Sequence, residues 1–164
     1  MTTSTLGVVN PRYFLNRLAL EHSTDCLSLE PEMIIQELFR KTSLPAMQEM
    51  FEEFCEAAVA PAYYWRGRNP EILLKFGEEM EKLIEASYLL FRERRSSASA
   101  DLPVAVKQFF VQYPLADWKR ILRDWTQAGL SVNSVAETGD PFEMIPFVTR
   151  MEELIKSLGE FAAK

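Results

Sequence analysis

The feature that most constrains this chain is a helix-start signal that occurs three times. A residue whose side chain can cap a helix precedes a proline, and a proline in the first helical turn loses no hydrogen bond. The three pairs are Asn10-Pro11, Asn69-Pro70 and Asp140-Pro141. Strict alternation of apolar and polar residues, which indicates a strand, is approached only weakly from Val132 to Val135. The pattern therefore predicts an all-α fold.

Apolar residues spaced three or four positions apart divide the chain into six or seven helices. After Asn10, one helical face carries Leu15, Leu18, Ala19 and His22. Further helices are predicted over residues 31–41, 44–60, 70–95, 104–112, 115–129 and 142–161, and residues 131–139 are predicted to be irregular. The mostly short connections indicate a single-domain antiparallel helical bundle over residues 1–164, with 1–9 as an N-terminal tail and 96–101 as a flexible loop.

Three residues inside these helices bear on how they pack. In the longest helix, Ile72 is expected to face the core, and Gly77 is expected to permit a close helix crossing. In the last helix, Pro146 lacks the N–H group that an interior helical residue donates, which predicts a kink there.

Length, charge and cysteine content exclude several classes of protein. The 164 residues are 48% hydrophobic, enough for one core. The net charge is −6, whereas a domain that binds nucleic acid usually has a basic surface. No nucleic-acid partner is therefore expected. Two cysteines, Cys26 and Cys55, are expected to be free thiols. With no signal peptide and no apolar run of about 18 residues, we expect a cytoplasmic protein without a membrane partner.

Motifs for catalysis, metal binding and phosphate binding are missing from the sequence. His22 is the single histidine, so the Glu-x-x-His pairs of di-iron bundles cannot form. His22, Asp25 and Cys26 lie on one turn and its exit, where they would not converge on one substrate atom. Gly-rich phosphate loops are also absent. The sequence therefore predicts a non-enzymatic protein with no metal or cofactor.

Acidic residues concentrate on the third predicted helix, the one over residues 44–60. Glu49, Glu52, Glu53 and Glu56 carry four negative charges, with no basic residue between positions 46 and 62. Glu78, Glu79, Glu81 and Glu85 extend this acidic character to the longest helix. Two interpretations stay open: an acidic patch that binds a basic partner or a cation, and a solvated helix face that lies off the apolar stripes.

The segment from 62 to 68 combines aromatic residues with arginines before a predicted helix. These residue types are enriched at binding hot spots, and a helix N-terminus attracts anions. The predicted partner- or anion-binding residues are Tyr63, Tyr64, Trp65, Arg66 and Arg68. The alternative is that the aromatic rings close one end of the bundle while the arginines pair with glutamates.

Residues 92–123 contain seven basic and three acidic residues. This excess of positive charge could orient a partner, or it could belong to an ordinary protein surface. Within this region and just beyond it, Trp118 and Trp125 share a helical face with Ile121 and Leu122, which favours core packing over nucleic-acid stacking. The leading hypothesis is a helical protein–protein interaction module, an adaptor or regulatory subunit, with self-association as a homodimer included. The alternative is a small-ligand-binding bundle with an apolar pocket lined by aromatic residues and methionines.

Overall fold

The structure is a computed structural model that describes residues 17–18, 30–60, 69–94, 102–131 and 133–164. These ranges contain seven helices and no strand, so the all-α prediction is confirmed for them. The helices are α1 (Pro31–Lys41), α2 (Leu44–Val59), α3 (Pro70–Arg94), α4 (Val104–Gln112), α5 (Leu115–Gly129), α6 (Val135–Thr138) and α7 (Pro141–Ala162). The antiparallel arrangement stays a prediction. The predicted tail over 1–9 and loop over 96–101 lie outside the described ranges.

Helix starts follow the capping chemistry in the sequence. Asp140 accepts a hydrogen bond from the backbone N–H of Phe142 at 2.9 Å, and Asn69 accepts one from Glu71 at 3.0 Å. The Ser43 hydroxyl accepts a hydrogen bond from the N–H of Ala46 at 3.4 Å. Each bond satisfies a backbone donor that has no partner within the helix.

Helix α5 packs against both α2 and α3, and its two tryptophans lie in the core as predicted. The Trp118 ring stacks on Phe109 of α4 at 4.0 Å between centroids, and its indole N–H donates to the Phe109 carbonyl at 2.8 Å. Trp125 contacts Phe147 of α7 at 4.5 Å. A buried aromatic ring contributes about 1.5–3 kcal/mol through burial of its apolar surface, so these contacts join α4, α5 and α7.

The close helix crossing predicted at Gly77 lies between α3 and α5. A Cβ atom at Gly77 would be 3.0 Å from the Thr126 Oγ1 atom of α5, so a larger side chain would force the neighbour to move. The space around Gly129, at the end of α5, is smaller still. A Cβ atom there would be 2.8 Å from the Leu73 Cδ2 atom. Two glycines therefore allow α3 and α5 to approach each other closely.

The prediction that residues 131–139 are irregular is wrong for Val135–Thr138, which form the short helix α6. The Ser134 hydroxyl accepts a hydrogen bond from the N–H of Ala136 at 3.1 Å and donates one to the Val59 carbonyl at 2.6 Å. Because Val135 belongs to this helix, it is not part of a strand, for which residues 132–135 were a weak candidate. A four-residue helix has too few positions to show a helical period.

The expectation that Ile72 faces the core is also wrong, because its side chain is 52% exposed. Leu73 occupies the inward position instead, against Gly129 of α5. Helix α7 continues through Pro146 to Ala162. In the described ranges, no helix combines the length and apolar character needed to cross a bilayer.

Candidate binding surfaces

The predicted acidic patch lies on α2, and part of it borders a groove between α2 and α7. We call this groove, with a volume of about 390 Å³, the acidic groove. It is lined by Gln48, Phe51, Glu52, Glu152, Glu153, Ile155 and Lys156. Glu49 and Glu56 are exposed on α2, whereas Glu53 is half-buried. The fold thus places carboxylates of α7 beside Glu52.

Cys55 lies among these carboxylates on the half-buried side of α2. Burial, reinforced by the negative charges of Glu152, Glu52 and Glu56, raises the pKa of the Cys55 thiol to about 12. The thiol is therefore protonated at neutral pH and is a poor nucleophile. Cys55 is a free cysteine, as predicted.

Exposed residues of α7 continue from the acidic groove toward the start of the helix. Phe142 is 86% exposed and Ile145 is 76% exposed, one helical turn apart. Positions 142, 145, 149, 152 and 156 are all exposed and recur every three or four residues, so they lie along one side of α7. We call the acidic groove together with Phe142 and Ile145 the α7 surface.

A second group of charges lies between α3 and α5, and the sequence did not reveal it. Glu85 was expected on the acidic, solvated side of α3, but it is fully buried. Its carboxylate accepts hydrogen bonds from the backbone N–H groups of Leu18 at 2.9 Å and Arg17 at 3.2 Å. It also accepts one from the Lys119 ammonium at 2.5 Å. These donors compensate part of the free-energy cost of burying the carboxylate.

Glu81, one turn before Glu85, joins the same group. Its carboxylate lies 3.2 Å from Lys119 Nζ and 3.2 Å from Arg17 Nε. The group therefore connects α3, α5 and the residues at 17–18.

The aromatic and basic segment predicted to bind a partner or an anion lies outside the described residues. The site predicted in this segment stays a prediction; its residues are Tyr63, Tyr64, Trp65, Arg66 and Arg68. His22, Asp25 and Cys26 also lie outside. Within the described part of the chain, no three His, Cys, Asp or Glu side chains are grouped so that they could bind a metal ion.

The exposure of Phe142 and Ile145 was not predicted, although the sequence contained a signal for it. The buried side of α7 carries Phe147, Met151, Leu154, Ile155 and Leu158. Phe142 and Ile145 are apolar but lie away from that stripe, and a large apolar residue off the buried stripe is the kind of exposure that marks interaction sites.

Comparison of the chain with protein-family models, with curated proteins and with solved structures gives no match. The chemistry of the described surfaces is therefore the basis for assigning a function.

Proposed function

We propose that this protein is a helical protein–protein interaction module, an adaptor or regulatory subunit, that binds a basic amphipathic segment of its partner at the α7 surface. The observation that carries the proposal is the exposure of Phe142 and Ile145 on the same side of α7 as the acidic groove. Aromatic and aliphatic side chains that are exposed together lose unfavourable contact with water when a partner covers them.

The dimensions of the α7 surface suit a helical segment. Phe142 and Glu152 are ten residues apart on one helix, which corresponds to about 15 Å at 1.5 Å per residue. A partner helix of about three turns would therefore cover both ends. Its apolar side chains would contact Phe142 and Ile145, as in other helix-in-groove complexes.

The charge of the acidic groove favours a basic partner. Glu52, Glu152 and Glu153 line it with one lysine, Lys156. Arg150 pairs with Glu153 at 2.9 Å. Lysines or arginines of the partner would be attracted to the remaining carboxylates, which mainly accelerates association and excludes acidic partners. A second copy of this chain would bring like charges together if the two copies paired through this surface.

The test is capture of partners from native lysate by the immobilised protein, with proteins identified by quantitative mass spectrometry. We expect a partner that the wild type retains and the Phe142→Ser, Ile145→Ser double variant loses. Its retention should fall with rising salt because the groove contributes electrostatically. Glu137→Lys is the matched control, since Glu137 is exposed on α6, outside the α7 surface.

Two results would contradict the proposal. One is an identical set of captured proteins for the wild type and the double variant. The other is a partner that is lost only when Trp65→Ala is combined with Arg66→Glu and Arg68→Glu, which would assign binding to the segment at 62–68.

The small-ligand hypothesis stays a prediction. Aromatic residues and methionines such as Phe54, Met80 and Met151 are buried in the core, whereas four of the seven residues that line the acidic groove are charged.

A further inference from the structure

A cleft between α3 and α5 differs from the α7 surface in location and charge. Its volume of about 450 Å³ lies within the range of small-molecule pockets. Its charged lining residues are Arg17, Glu78, Glu81, Lys119, Arg120 and Arg123. Cations therefore outnumber carboxylates in the lining.

Both carboxylates of the cleft already have cationic neighbours. Glu81 is bonded to Arg17 and Lys119, as described above, and Glu78 lies 3.6 Å from Arg17 Nη1. Lys119 is also fixed by the buried carboxylate of Glu85. The negative charge in the cleft is thus compensated within the protein.

The arginines of α5 differ in their partners. Arg120 pairs with Glu143 at 2.6 Å and with Asp124 at 3.4 Å. Arg123 is exposed and forms no hydrogen bond or ion pair with another residue in the described part of the chain. Its guanidinium group therefore retains its full set of donors for a ligand, and a planar guanidinium can bind a carboxylate or phosphate through two parallel hydrogen bonds.

We propose that this cleft binds a small organic anion, with its phosphate or carboxylate group at Arg123. Lys119 and Arg120 lie four and three residues before Arg123 on α5, but both are already paired with carboxylates of the protein, so Arg123 would supply the charge that binds the ligand. The apolar part of the ligand would contact Leu74, an exposed residue of α3 that also lines the cleft. The proposal is independent of the partner-binding function at the α7 surface.

The test uses two probe anions, pyrophosphate and citrate, titrated into the full chain at constant ionic strength while the melting temperature is recorded. A ligand that binds the folded state raises the melting temperature with its concentration. We expect such a rise for the wild type with at least one probe. Arg123→Gln should abolish most of it, with an apparent affinity reduced about tenfold or more, the loss expected when a charged hydrogen-bond partner is removed.

Arg40→Gln is the matched control, because Arg40 is an exposed arginine on α1, outside the cleft. It should retain the wild-type response. A larger response to pyrophosphate would identify a phosphate ligand, and a larger response to citrate would identify a carboxylate ligand. The proposal is overturned if neither probe raises the melting temperature, or if Arg123→Gln and Arg40→Gln respond alike.

Discussion

Glu85 is a charged residue whose burial depends on partners far away in the chain. Lys119 is 34 residues away, and Leu18 is 67 residues away. Burial raises the pKa of the Glu85 carboxyl above its ordinary value of 4.5, and the hydrogen bonds and charge of Lys119 oppose this rise without cancelling it. The sequence could not reveal the role of Glu85, because helical spacing alone assigned it to the acidic, solvated side of α3.

The raised pKa predicts how stability depends on pH. A carboxyl whose pKa is higher in the folded protein contributes stability that is fully present below its unfolded pKa and is lost as the pH rises through the folded pKa. The glutamine of the Glu85→Gln variant cannot ionise, so the stability of this variant lacks the contribution of Glu85 to the pH dependence. We expect the free energy of unfolding of the wild type to fall relative to that of Glu85→Gln as the pH rises from the ordinary carboxyl pKa of 4.5 through the raised pKa of the folded protein.

Urea unfolding at several pH values checks this expectation. Glu71→Gln is the control on the same helix, because Glu71 is exposed. Its difference from the wild type should change little over the same range. A wild type that gains stability relative to Glu85→Gln as the pH rises would show that the ion pair with Lys119 dominates over burial.

At the scale of helices, the sequence was most informative where the interactions are local. The bounds of α1 and α4 were predicted as observed, and the cap at Asp140 forms the expected hydrogen bond; Ser43 forms a cap of the same kind at the start of α2. Each cap involves atoms two or three residues apart, so the local sequence determines it. Helix α6 was missed because its position also depends on the bond from Ser134 to the end of α2.

The capping hydrogen bond at the start of α7 can be tested by substitution of Asp140. Asp140→Ala removes the acceptor of the Phe142 N–H and should lower the free energy of unfolding by about 1 kcal/mol. Asp140→Ser supplies another capping oxygen and should recover most of the loss. Chemical denaturation followed by circular dichroism measures both variants. Equal losses for the two variants would mean that the capping bond contributes little to stability.

The whole molecule depends on contacts between helices, and these were harder to predict. Helical period correctly placed Trp118, Ile121, Leu122 and Trp125 on the buried side of α5, but it could not indicate which sides of different helices meet. The acidic groove illustrates this, since Glu52 was identified on α2 whereas Glu152 and Glu153 of α7 were not. Which carboxylates share a groove is determined by packing between α2 and α7, which are far apart in sequence.

Two phenylalanines of α7 provide a matched test of the packing. Phe147 is fully buried between Phe51 of α2 and Trp125 of α5, whereas Phe142 is 86% exposed. Phe147→Ala should lower the free energy of unfolding by about 3–5 kcal/mol, because it leaves a cavity where three helices meet. Phe142→Ala should change it by less than about 0.5 kcal/mol.

Equilibrium unfolding in urea, monitored by tryptophan fluorescence, measures both variants. Similar losses for the two would contradict the orientation of α7. Stability close to that of the wild type for Phe142→Ala would also show that substitutions at the α7 surface test binding without disturbing the fold.

The bonds from Arg17 and Leu18 to Glu85 have a consequence for biosynthesis. A ribosome adds about 5–20 residues per second, so a residue 67 positions later appears about 3–13 s afterwards. Leu18 therefore leaves the ribosome before the carboxylate that receives its N–H group, and Lys119 follows later still. The contacts of residues 17–18 with Glu85 therefore cannot form until α3 has been translated.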